Sequence, residues 1–203
     1  MSTKLTQRLN GILPKIISSD FLTREGVENQ IPFYIFDYPA EEELAVRKHI
    51  NFLHSAIAQE APGLKFRHVN CLDMLTDYLE SRGYFDKALE MERVQGTVKT
   101  IEAIKGMANA EKLADFFNTQ VLRDKPELVL LSGIGSGFPV IRAHELLNNL
   151  HRHMTSTRLI LFYPGVYDQK TLLLFGNKSL SNVVNKGKPS EKAAYYRAFR
   201  LIE

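Results

Sequence analysis

Residues Glu127 to Met154 restrict what this chain can become more than any other stretch. Leu128 to Leu131 is a short, uniformly apolar run, too short for a free-standing helix and too apolar for a half-exposed strand. It reads as a fully buried strand of a parallel sheet. Gly133, Gly135 and Gly137 follow at alternate positions, where the backbone can turn tightly and another group can approach it closely. Pro139 then suits the first turn of a helix, and Val140, Ile141, Leu146, Leu147 and Leu150 recur at helical spacing. Strand, glycine turn, helix is the unit with which α/β proteins hold anions at a helix N-terminus. The expected fold is therefore α/β, a three-layer sandwich around a mostly parallel central sheet.

A nucleotide cradle needs more than glycines. A P-loop requires Lys and then Ser or Thr directly after its last glycine, for the phosphates and Mg²⁺; Phe138 and Pro139 stand there instead. A dinucleotide fingerprint requires a third glycine where Phe138 is found. The preferred reading is a structural or partner-facing turn.

At 203 residues the chain suits one domain over 1–203 with a sizeable core. No apolar run approaches the roughly 20 residues of a membrane span, and residues 1–17 lack a signal-peptide core. A single cysteine, Cys71, excludes an internal disulfide framework and a Cys-rich zinc site. The cytoplasm is the simplest placement. The net charge of +3 is uneven: residues 127–203 carry +5 and the remainder −2. The basic half, with Lys186, Lys188, Lys192, Arg197 and Arg200, could favour DNA or an acidic partner, or simply keep a tail solvated.

Leu5, Leu9, Ile12, Leu13, Ile16 and Ile17 form one stripe, an amphipathic helix over residues 3–17 interrupted near Pro14. Phe33 to Asp37 is a second buried strand. Asp37, beyond its carboxyl end, could bind a metal or a ribose; capping the next helix or turn is the preferred reading. Glu41, Glu42 and Glu43 open a helix to Gln59, where they complement its positive end, and Leu44, His49, Ile50, Leu53 and Ile57 mark or border its buried face. Leu64 to Val69 alternates as a third strand.

Residues 71–125 read as a helical insertion able to offer a surface to a partner. Cys71 at its start is a nucleophile candidate in principle, although a lone cysteine is more often a small buried apolar group. Arg158 to Tyr163 is a further strand ending at Pro164-Gly165, followed by Thr171 to Phe175 as an antiparallel hairpin partner at the sheet edge. The aromatic and basic end of the chain, Tyr195 to Ile202, is expected to lie back on the core.

Arg142, His144, Asn148, Asn149, His151 and His153 crowd one helix. Arg142 could meet an anion beside the glycine turn. His144 and His151 are seven residues apart, not the four of the helical zinc motif. The preferred reading is that these side chains hold the helix in place, with no metal and no cofactor.

Four strings carry a resemblance: Leu131 to Leu150, Leu161 to Tyr167, Tyr195 to Leu201, and Phe36 to Glu43. Together, in this order, they resemble the BrxB family, small components of the BREX systems that defend bacteria against phage and methylate host DNA. The resemblance implies a degenerate relative of P-loop α/β folds and a non-enzymatic adaptor whose partner is PglZ, the phosphatase-like component, alongside other BREX subunits. It supplies no catalytic residues. The candidate sites follow from position alone: Gly133, Gly135, Gly137, Arg142, His144, Asn148 and Asn149 on the central unit, Asp37, Tyr163, Pro164 and Gly165 at strand ends, and the basic residues above. The competing readings are a nucleotide-responsive ATPase-like regulator and a DNA-binding subunit.

Overall fold

A computed structural model describes residues 2–23, 33–177 and 198–203. Five strands run parallel: β1 (Phe33–Tyr38), β2 (Phe66–Asn70), β3 (Leu128–Ser132), β4 (Arg158–Tyr167) and β6 (Ala198–Arg200), in the order β2-β3-β4-β1-β6. The sixth, β5 (Leu172–Leu174), pairs antiparallel with β4. β3 and β1 are buried along their whole length, as the apolar runs Leu128–Leu131 and Phe33–Phe36 require of strands covered on both faces, and the burial extends to Ser132 and Asp37 at their ends.

Strand alternation divides the core in two. Tyr34, Phe36, Leu128, Leu130, Ile160 and Phe162 pack against the helices of the first sixty residues. These are α1 (Thr3–Asn10), α2 (Ile12–Ile16), α3 (Ser19–Thr23) and α4 (Glu43–Glu60). Phe33, Ile35, Val129, Leu131, Leu159 and Leu161 pack against the other set. That set comprises α5 (Cys71–Ser81), α6 (Phe85–Gln95), α7 (Thr97–Met107), α8 (Ala110–Gln120), α9 (Ile134–Gly137) and α10 (Ala143–Leu150). Four helices, α5 to α8, thus separate β2 from β3.

Several boundaries differ from the sequence reading. The N-terminal helix breaks at Gly11, whose N–H is shared between the carbonyls of Gln7 and Arg8; Pro14 lies in the first turn of α2, where its missing donor costs nothing. A 3₁₀ turn over Ala40–Glu42 precedes α4, so only Glu43 lies in that helix's first turn. Leu44 is 71% exposed, and the buried face of α4 is Val46, Ile50, Leu53, Ala56 and Ile57. β2 begins at Phe66 and is an edge strand.

The glycine unit is not a loop feeding directly into a helix. Gly133 adopts φ 72° and opens the single-turn α9, and α10 starts only at Ala143. Pro139, after a cis bond from Phe138, therefore lies between two helices. β4 continues through Pro164 and Gly165 to Tyr167, and Pro164 still stands opposite Tyr38 of β1. The hairpin consequently grows from the end of a central strand, not from the sheet edge. A Cβ on Gly165 would collide with the Leu173 carbonyl, so the hairpin closes only around glycine. Of the segment Tyr195 to Ile202, expected to dock, residues 198–202 lie back on the core, with Leu201 buried, but as β6, a parallel edge strand beside β1; Tyr195, Tyr196 and Arg197 lie outside the described residues.

Candidate functional site

In a parallel α/β sheet, ligands gather beyond the carboxyl ends of the strands, here Asp37-Tyr38, Asn70, Ser132 and Tyr163-Pro164. Asp37 is buried and caps no helix. One carboxylate oxygen accepts from Arg8 Nη2 at 2.8 Å, the other from the Tyr167 N–H at 3.1 Å and Arg200 Nη2 at 3.4 Å. Arg8 Nη1 also donates to the Asp37 carbonyl at 2.7 Å. A metal or ribose at this carboxylate would have to displace two guanidinium groups. The cap reading fails because the partners of Asp37 are 29, 130 and 163 residues away.

The glycines serve the chain's own packing. A Cβ on Gly133 would run into the Asn70 side chain; one on Gly135 would lie 2.9 Å from Pro164 Cγ and 3.1 Å from Phe175 Cε1. On Gly137 it would come 3.0 Å from Ile141 Cδ1. Close approach, inferred from the sequence, is therefore real, and the approaching groups are protein side chains. Tyr163 is buried and Pro164 covers Gly135.

Arg142 is the N-cap residue of α10, not part of its first turn, and its Nη1 lies 3.3 Å from Glu145 Oε1. His144 Nε2 accepts from the Leu172 N–H at 3.4 Å, so α10 is fastened to the hairpin. Asn149 Nδ2 donates to the Glu145 carbonyl at 2.8 Å, and His151 meets the edge of Phe33 with ring centroids 6.1 Å apart. Asn148 lies one helical turn beyond His144. Of these contacts, those of His144 and His151 reach another element, whereas those of Arg142 and Asn149 stay within α10 and its cap. Arg200, placed with the basic surface, turns towards Asp37 and also donates to the Tyr167 carbonyl. Lys186, Lys188, Lys192 and Arg197 lie outside the described residues.

Cys71 is fully buried, and burial pushes its thiol well above the usual range, which removes the thiolate a nucleophile needs. Among the described residues, no cluster of three or more His, Cys, Asp or Glu side chains could hold a metal ion.

One grouping escaped the sequence. His68 Nε2 and Ser132 Oγ are 2.8 Å apart, and the His54 ring lies 5.4 Å from that of His68. Separately, Arg47 Nη2 donates to Ser136 Oγ at 3.2 Å, and Tyr38 Oη donates to Glu43 at 2.6 Å. The folded register brings His68 and Ser132 together: Asn70 stands opposite Ser132, so His68 and Ser132 share a face, and the sequence alone carries no signal of that pairing. Among the described residues no carboxylate bonds the other ring nitrogen of His68, and the third member of a hydrolytic triad has no counterpart.

Taken together, these contacts define an α/β protein with a mostly parallel sheet whose strand ends are closed by its own side chains. The BrxB family model, described as BREX protein BrxB, matches residues 67–201. A BREX protein BrxB of Bacillus cereus is 33% identical over 98% of each chain. One from Escherichia coli is 35% identical over 98% of this chain and 92% of its own. The chain belongs to the BrxB family, components of BREX phage-defence systems. No solved structure matches it, and no helix among the described residues is long and apolar enough to cross a membrane.

Two stability measurements check the site. Asp37→Ala leaves two guanidinium groups without their shared carboxylate and should cost about 3 kcal/mol in urea unfolding, whereas Arg142→Ala, at an exposed pair, should stay within about 0.5 kcal/mol. Equal effects would contradict the geometry. Burial lowers the pKa of His49, His68 and His144 below the ordinary 6.5. The unfolded chain then binds more protons than the folded one, so stability is full above 6.5 and declines as pH falls below it. Thermal melts between pH 7.5 and 5.5 should show that decline, and His144→Gln should reduce it.

Proposed function

We propose that this chain is a non-catalytic adaptor of a BREX system, docking the PglZ-like component through the α6–α7 hairpin and so supporting phage restriction and host methylation. The observation that carries the reading is how little these two helices bury. α5 and α8, each of 11 residues, bury five and three residues; α6 and α7, of the same length, bury Ala88 and Thr100 alone. Leu89, Val94 and Val98 stand 53%, 67% and 73% exposed. Apolar groups left in water on a projecting hairpin favour a partner surface.

The non-catalytic part of the reading is supported by Asp37 at a strand end, Gly135 on α9 and His144 on α10, which are engaged by Arg8, Pro164 and Leu172. On this reading the fold is a three-layer sandwich, a degenerate relative of P-loop proteins, with Phe138-Pro139 where the phosphate-binding Lys and hydroxyl residue would stand. Its place of work is the cytoplasm.

Co-purification of the tagged chain from cells expressing the rest of the operon tests this directly. The wild type should retain the PglZ-like subunit, and the triple variant Leu89→Glu, Val94→Glu, Val98→Glu should lose at least tenfold of it while melting at an unchanged temperature. Undiminished recovery by the variant would reject the hairpin as the docking surface.

A further inference from the structure

α1 and the first half of α4 leave between them an open groove of about 600 Å³. Its character comes from the face of α4 turned away from the core. On α4, Ala45, Lys48 and Phe52 follow at intervals of three and four residues, and they line the groove together with Leu44 and with Glu41 of the 3₁₀ turn before the helix. That spacing is a single helical stripe. Leu44 and Phe52, two turns apart, are 71% and 54% exposed, although the opposite face of the same helix is packed into the core.

The charges on the stripe are as informative. Of the three adjacent glutamates, Glu42 accepts from the Ser2 N–H at 2.9 Å and Glu43 is held by Tyr38 and Arg47. Glu41 has no hydrogen-bond or ion-pair partner among the described residues, and neither has Lys48 at the other end of the stripe. His49 also lines the groove, half-buried and within reach of the Leu9 backbone. Two exposed apolar side chains, an unanswered anion and an unanswered cation about two turns apart are what an amphipathic helix presents to a complementary one.

We infer that this groove takes an amphipathic helix of another BREX subunit, with apolar residues over Leu44 and Phe52, a Lys or Arg over Glu41 and an Asp or Glu over Lys48. The two opposite charges fix the direction in which the guest helix lies. This second surface is carried by α1 and α4 and does not depend on the α6–α7 hairpin. A chain with both could bridge two subunits.

The test places p-benzoylphenylalanine at position 52 of the full chain, in cells expressing the rest of the operon, and maps the photocross-linked peptide by mass spectrometry. The expected product is one segment of another operon protein with apolar residues at i, i+3 or i+4, and i+7 and a basic residue beside them. Glu41→Lys should lower its yield at least fivefold, and reversing the facing cation on the captured segment should restore it. Because Glu41 is exposed, an unchanged melting temperature separates lost docking from lost folding. Cross-linking to a second copy of this chain, to a segment without the apolar repeat, or to no protein would overturn the inference, as would a yield indifferent to Glu41→Lys. The hairpin variant should cross-link as the wild type does, so failure of either surface is read separately.

Discussion

The carboxylate of Asp37 joins parts of the chain that lie far apart in the sequence. A buried charge is costly unless it is paired and hydrogen-bonded, and Asp37 is answered by Arg8 from the first helix, Arg200 from the last strand and the Tyr167 N–H from the hairpin. Arg8 extends the clasp, donating to the carbonyls of Asp37 and Ile202 with its guanidinium 4.8 Å above the Phe36 ring. Tyr167 adds a hydrogen bond from its hydroxyl to the Ala198 carbonyl at 3.0 Å. Both ends of the chain are thereby fixed to the strand β1, and the edge strand β6 has a reason to add there, although it is only three residues long.

This clasp also bears on chemistry. The carboxyl end of a parallel sheet is ordinarily where glycine turns and acidic side chains meet a ligand. Here the same residue types serve the fold: Asp37 holds two arginines, Gly135 admits Pro164 and Phe175, and His144 receives the hairpin backbone. Among the described residues, large apolar groups left in water stand on α6, α7 and the outer stripe of α4, and also at Leu72, Val166, Phe175 and Phe199. On the proposed reading, surfaces of this kind and not a reaction centre are the working parts of the chain.

What could be read from the sequence follows the range of the interactions. β1, β3 and the first half of β4 were legible because a strand buried on both faces must be apolar throughout. The helices α5 to α8 were legible from helical spacing, and the glycine spacing correctly announced close approach. Asp37 was misread because its local alternative, a cap, is visible in sequence while Arg8 and Arg200 are not. Pro164-Gly165 read as a stop, yet Pro164 still faces Tyr38 in register and Gly165 makes room for the Leu173 carbonyl. β6 gave no signal, since Ala-Phe-Arg on an edge shows no periodicity. The His68–Ser132 pair needed the β2–β3 register, which only the folded sheet supplies.

Hydrogen exchange of the chain alone and in the presence of the other BREX subunits is the most direct measure of where function resides. If surfaces are the working parts, partners should slow exchange in residues 85–107 and leave the turn from Ser132 to Arg142 unchanged, and Mg²⁺-ATP should alter neither. Slowed exchange over Ser132 to Arg142 on adding Mg²⁺-ATP, with the α6–α7 hairpin unaffected by partners, would contradict it.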